Sequence, residues 1–242
     1  MIRFILVALY LALFLIFSIP IFLVEWVIGK FNPDLKNKSS QKIVQCALMT
    51  ILFLSGVKLT VKGFANIPKD TAVLYIGNHR SYFDIVITYA IVPGLTGYVA
   101  KKEMKKIPLL STWMKYLHCL FLDRDNIKEG LKSILLGIEY IKSGISICIF
   151  PEGTRNSEPQ MIPFKEGSLK MSTKTGCPII PMALTNTRDI FENHPPKIKK
   201  THVILEYGKP IYPNELDKEQ RKFLGAYTQN IIQEMYDKNS VC

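Results

Sequence analysis

The longest apolar run comes first in the chain: Phe4 to Val24 holds no charged residue over 21 positions, against the roughly 20 that cross the hydrocarbon core of a bilayer. It lacks the short apolar region and small-residue cleavage site of a signal peptide, so it is expected to be retained as an anchor. Arg3 precedes the run, and Lys30, Lys36, Lys38 and Lys42 follow it. That bias places the rest of the chain in the cytoplasm. Pro20 and Glu25 keep a second geometry open, a kinked or shortened helix inserted shallowly at the interface. Beyond the turn signal Asn32-Pro33-Asp34, Ile43 to Val57 is again uncharged but covers only 15 residues, too few for an upright span. A re-entrant or interfacial helix fits it, and so does a helix packed on the core.

After Gly63 the pattern changes. Apolar strand candidates near Ala72, Tyr98, Leu120, Ile147, Ile180 and Ile204 alternate with helical patterns, which predicts an α/β layer structure. Glu129 to Ser143 is the clearest helix, with Leu131, Ile134, Leu135, Ile138 and Ile141 as its core stripe and Gly144 just past its end. Glu215 to Asp237 predicts one amphipathic closing helix. No repeat, low-complexity tract or linker marks a second soluble domain. The expected architecture is a mixed sheet flanked by helices over residues 59–242, preceded by a membrane-associated two-helix segment over residues 1–58.

Two polar turns carry the candidate chemistry. Asn78-His79-Arg80-Ser81-Tyr82-Phe83-Asp84 lies between the apolar runs Ala72 to Ile76 and Ile85 to Ile91, the signature of a strand, a turn and a helix. Five helical steps would leave His79 and Asp84 about 140° apart, so His79 belongs in the turn, where its ring can fold back to a carboxylate in the first helical turn. An imidazole oriented in this way is a general base. The plainer reading makes Asp84 a helix cap accepting a backbone N–H. The second turn, Phe150-Pro151-Glu152-Gly153-Thr154-Arg155, follows the apolar run Ile145 to Ile149. Residues just beyond strand ends converge on the ligand crevice of open α/β sheets, so the two turns are expected to form one site.

These two blocks, with Ala100-Lys101-Lys102-Glu103-Met104 leading to Phe121-Leu122-Asp123-Arg124, and with Pro178-Ile179-Ile180-Pro181, give a pattern that resembles the 1-acylglycerol-3-phosphate acyltransferases over about residues 60 to 210. Met104 stands where that family usually has Leu, a conservative apolar exchange. The resemblance implies transfer of a fatty acyl group from a thioester, acyl-CoA or acyl carrier protein, to the sn-2 hydroxyl of lysophosphatidic acid, giving phosphatidic acid. It also implies direct attack by the lipid hydroxyl, with Ser81 structural or capping, and it favours membrane-embedded N-terminal helices. In that scheme His79 takes the hydroxyl proton and Asp84 fixes its tautomer. Arg155 grips the acceptor phosphate through its planar fork, the alternative being a surface salt bridge. Glu152 contacts the glycerol hydroxyl or orients Arg155, Gly153 lets the backbone turn closely around the acceptor, and Thr154 binds or caps. Lys101 and Arg124 match positions associated with the phosphate. Pro178 and Pro181 flank a strand that lines the acyl channel or packs in the core. Other lysophospholipids, lyso-aminolipids and glycerol 3-phosphate suit the same His-Asp pair as acceptors, and a lipid-binding scaffold is the non-enzymatic alternative.

Composition narrows the partners. A net charge of +11, from 31 basic and 20 acidic residues, suits an anionic surface or phosphorylated substrate, and the apolar leader selects a membrane rather than a nucleic acid. With 48% hydrophobic residues the chain is not disordered. Its five cysteines, Cys46, Cys119, Cys148, Cys177 and Cys242, show no C-x-x-C spacing, which argues against a disulfide framework or zinc site and for a reducing compartment. Cys148 is expected to be a small buried hydrophobe. No metal-ligand or dinucleotide-binding pattern stands out, so no cofactor beyond the acyl donor is expected.

Overall fold

The computed structural model describes residues 1–124, 126–158 and 160–240. Cys242 lies outside them. Helix α1 runs from Ile2 to Phe31 through Pro20, and α2 from Pro33 to Ser55. The turn between them forms where the Asn32 side chain accepts from the Leu35 amide at 2.9 Å and Pro33 opens the new helix, because proline's missing N–H costs nothing at a first helical position. The uncharged run 43–57 is thus the C-terminal part of a longer helix. Ala47, Ile51 and Leu52 are buried on its inner face, while Met49 and Phe53 face outward.

A seven-stranded sheet follows, made of β1 (Lys58–Lys62), β2 (Leu74–Gly77), β3 (Thr96–Lys101), β4 (Leu120–Leu122), β5 (Ser146–Ile149), β6 (Ile179–Thr185) and β7 (His202–Tyr207). Their spatial order is β1-β7-β6-β2-β5-β3-β4. All pairs are parallel except β6 with β7, so the sheet is mixed, as its pattern predicts. Strand β1 was not expected. Its Leu59 and Val61 sit between terminal lysines at one edge, too weak an alternation to stand out. At the other edge, Ser133 Oγ donates to the Phe121 carbonyl at 2.9 Å.

Two apolar layers sandwich the sheet. Val73 and Tyr75 point to the side covered by α2 and α3 (Tyr82–Ile91). Leu74 and Ile76 point to the side covered by α5 (Ile127–Lys142), α6 (Lys170–Thr175) and α8 (Leu224–Ser240). This is the period-two alternation of a strand buried on both faces. The short helix α4 (Leu110–Tyr116) packs on α1, with the Trp113 ring 5.8 Å from Phe14 and 4.9 Å from Phe22. Trp113 Nε1 donates to Ser18 Oγ at 2.7 Å, and buried Glu25 accepts from Ser39 and Ser40 of α2 at 2.9 and 3.0 Å. The two polar side chains of α1 that interrupt its apolar surface therefore face protein. Among the described residues α1 alone is long and apolar enough to cross a membrane.

Two helical expectations need correction. The stripe on α5 is fully buried at Ile138 and Ile141 and partly buried against the core at Ile134, but Leu131 and Leu135 are about half exposed, each 52%. The closing helix is two pieces, α7 (Lys218–Lys222) and α8, separated at Phe223, whose φ of −115° and ψ of 42° leave the helical region.

Candidate active site

Residues 78–81 connect the C-terminal end of β2 to α3, whose first turn holds residues 82–84. Asn78 is stitched to the neighbouring strand, donating to the Leu184 carbonyl at 2.9 Å and accepting from the Leu184 amide at 2.8 Å. Ser81 is the N-cap of α3, its hydroxyl accepting from the Phe83 amide at 3.0 Å. Asp84 closes the capping box from the third helical position. One of its oxygens, Oδ2, accepts from the amides of Arg80 and Ser81, both at 2.6 Å, and from His79 Nδ1 at 2.9 Å. The two readings of Asp84 therefore hold together: it caps the helix and orients the imidazole with the same oxygen. A carboxylate only accepts, so Nδ1 carries the hydrogen, and in the neutral ring Nε2 is the nitrogen with the lone pair. The ring also stacks on Phe150, 4.6 Å between centroids at 22°.

The second turn follows β5, which pairs directly with β2, and this adjacency brings the two blocks together. Glu152, 3% exposed, accepts from the His79 amide at 2.7 Å through Oε1 and from the Ile162 amide at 3.0 Å through Oε2. The Asn156 amide donates to the His79 carbonyl at 2.8 Å. Both backbone groups of His79 are thus held by the second turn. Gly153 has φ +77°, the left-handed region that glycine enters without strain. A Cβ there would lie 3.3 Å from Lys165 Nζ and 3.9 Å from the Arg124 guanidinium.

Arg124 Nη1 donates to the Gly153 carbonyl, and burial lowers the guanidinium's pKa, with Glu103 pulling the other way. Arg155 lies over the Tyr82 ring at 3.5 Å, with Nη1 3.8 Å from Glu192 Oε1. Thr154 is exposed, as is Lys101 at the end of β3, one strand beyond β5. Lys102 pairs with Asp123 at 2.8 Å.

The geometry thus brings together His79, Asp84, Glu152, Gly153, Arg155 and Arg124. It gives Glu152 backbone amides as partners, and it is Glu192 that meets Arg155. Tyr82, Lys165 and Glu192 were missed by sequence reasoning. Tyr82 lay inside the first motif, whereas nothing in the local sequence marks Lys165 or Glu192. Pro178 immediately precedes β6 and Pro181 is its third residue, in a strand that is buried along its whole length. Cys148 is fully buried and burial pushes its thiol well up; burial also pushes the Cys119 thiol up, to about 11. Neither has the thiolate character of a nucleophile at neutral pH. Among the described residues no group of three or more His, Cys, Asp or Glu side chains is placed to hold a metal ion.

A sequence profile described as Acyltransferase matches residues 58–185, more than half of the chain. The chain belongs to the acyltransferase family. It is 32% identical over 170 residues to the 1-acyl-sn-glycerol-3-phosphate acyltransferase of Borreliella burgdorferi, covering 70% of this chain and 65% of that protein. It is 29% identical over 196 residues to the protein of that name from Saccharomyces cerevisiae, covering 80% of this chain and 63% of the yeast protein. In each case the match spans a little under two thirds of the relative. The fold is shared with the crystal structure of the 1-acyl-sn-glycerophosphate (LPA) acyltransferase, PlsC, from Thermotoga maritima: TM-score 0.82 at 24% identity, covering 98% of this chain and 96% of that one. Both motif turns fall inside the span matched by the family profile.

Proposed function

We propose that the protein transfers an acyl group from a thioester, acyl-CoA or acyl carrier protein, to the sn-2 hydroxyl of 1-acylglycerol 3-phosphate, forming phosphatidic acid at the cytoplasmic face of a membrane. The observation that carries this reading is the 2.9 Å contact of His79 Nδ1 with Asp84 Oδ2, which leaves Nε2 basic beside a turn bearing Arg155. Nε2 takes the acceptor's hydroxyl proton as the oxygen attacks the thioester carbonyl. The tetrahedral intermediate then expels the thiolate, which takes the proton back from the imidazolium. Asp84 steadies that imidazolium while it exists. No protein residue is acylated. The relatives' names supply the acceptor, and Arg155, Arg124 and Lys165 supply cationic donors suited to a phosphate. Thiol release by purified protein in detergent, supplied with acyl-CoA or acyl carrier protein thioester and a panel of lyso-acceptors, tests the reading. Equal rates with every lysophospholipid would remove lysophosphatidic acid as the preferred acceptor.

Arg155 separates the acceptor classes. A bidentate pair with a phosphate is worth about 1.5 to 3 kcal/mol, so Arg155→Ala is expected to lower acceptor kcat/KM about 10-fold to 150-fold. Arg155→Lys should recover only part, because the charge returns without the fork. The loss should be large for lysophosphatidic acid, a phosphate monoester, and small for a lysophospholipid whose phosphate is a diester. Equal losses would move Arg155 to the scaffold or the acyl donor.

Attachment is proposed to rest on the exposed apolar side of α1, helped by the outward face of α2 and the basic surface. Removing residues 1 to 28 is expected to reduce, not abolish, sedimentation with high-salt-washed membranes. Full solubility after that deletion would show that α2 belongs to the core alone.

A further inference from the structure

We infer that Glu192 is a positioning residue that holds Arg155 ready for the acceptor phosphate, an assignment that rests on the proposed role of Arg155. Glu192 lies in the loop after β6, outside both sequence motifs and past the end of the family match at residue 185. Its carboxylate is fixed from one side by the start of α3. Oε2 accepts from Ser81 Oγ at 2.7 Å and Oε1 from the Tyr82 amide at 2.7 Å. An anion is favoured there by the unsatisfied amides and dipole of a helix N-terminus. The Glu192 side chain is only 12% exposed, whereas that of Arg155 is 36% exposed. One partner is therefore anchored, and the other is a long side chain that needs anchoring.

The loop carrying Glu192 is itself tied to the Arg155 segment. Arg188 Nη1 donates to the Asn156 carbonyl at 3.1 Å, and Arg188 Nε donates to Asn193 Oδ1 at 3.2 Å. Arg155 is then held on two sides, by the Tyr82 ring beneath its guanidinium at 3.5 Å and by Glu192 Oε1 at 3.8 Å. A guanidinium has five donors in a rigid fork, so one loose ion pair at its edge leaves others for a ligand. Ordering the side chain before the ligand arrives removes an entropy cost from binding. Glu192 contacts neither His79 nor its carboxylate in these interactions, so its action should appear in acceptor binding and not in the chemical step.

The test is steady-state kinetics of the full chain in detergent, with lysophosphatidic acid varied at saturating acyl donor. Glu192→Gln keeps an oxygen for the Tyr82 amide and removes the charge. It is expected to raise acceptor KM about two- to fivefold, the range of a partly exposed ion pair, with kcat and donor KM unchanged. Tyr82→Leu removes the ring and leaves the carboxylate, and should raise the same constant at an exposed position that folding tolerates. In an Arg155→Ala background the Glu192 change should add nothing. An unchanged KM in Glu192→Gln, a fall in kcat, or the same factor in both backgrounds would each overturn the inference and leave Glu192 as a cap of α3. If Arg155→Ala itself leaves acceptor KM untouched, the phosphate role of Arg155 fails first, which is a separate result.

Discussion

His79→Ala is expected to lower turnover about 10²- to 10⁴-fold, the usual contribution of a general base, with acceptor binding and thermal midpoint close to wild type. The ring is the only part of His79 that changes, while the backbone bonds to Glu152 and Asn156 remain. Asp84→Asn should lose most turnover as well, because the imidazolium loses its counter-charge. It should also lower the thermal midpoint, since the same oxygen holds two amides at the start of α3 and the negative charge there favours the helix. The double variant should turn over no more slowly than His79→Ala alone. If the two losses multiply, the residues act independently and the oriented-base mechanism is lost.

The largest effect on stability belongs to Glu152. Its two oxygens take two part-buried amides that lie 73 and 10 residues away in sequence, and hydrogen bonds to a charged group contribute about 1.5 to 3 kcal/mol each. Glu152→Ala is therefore expected to destabilise the protein by about 3 to 6 kcal/mol, read from denaturant unfolding in detergent. Glu152→Gln should rescue little, because its NH₂ group must face one of the two amide donors. A Gln variant with an unchanged midpoint and a raised acceptor KM would return Glu152 to the substrate, the role that its place in the motif suggested.

What was legible in the sequence was local. The strand, turn and helix around His79 could be read because an apolar run, a mostly polar stretch and a second apolar run imply one geometry. The carboxylate's reach to the ring then followed from helical spacing. Ser81 as a structural or capping residue came instead from the family resemblance. The backbone amides that Glu152 meets could not be foreseen, because no pattern of side chains reveals them. Glu192 was missed because it meets Arg155 only once β6 and β5 flank β2. The exposure of Leu131 and Leu135 also escaped the pattern: a stripe says which residues share a helix face, not how wide a partner that face finds. Phe223 ended α7 with the nearest glycine, Gly225, falling inside α8 and not at the break, so two helices looked like one.

A chain with so much bare apolar surface on α1 must avoid sticking to its own kind, and the sheet's two margins bear on this. An outermost strand offers unpaired amides and carbonyls as a template for another chain. Here β1 is bounded by Lys58 and Lys62, whose charges resist burial against a neighbour, and Lys62 is further tied to Asn239 at 2.7 Å. The opposite margin, β4, is three residues long, and its central carbonyl is occupied by Ser133. Both margins thus carry features that disfavour an extended intermolecular ladder. Crowding on a lipid surface should therefore produce reversible, helix-mediated clustering rather than fibrils. Concentrated protein stripped of detergent is expected to precipitate without the 4.7–4.8 Å reflection of cross-β packing.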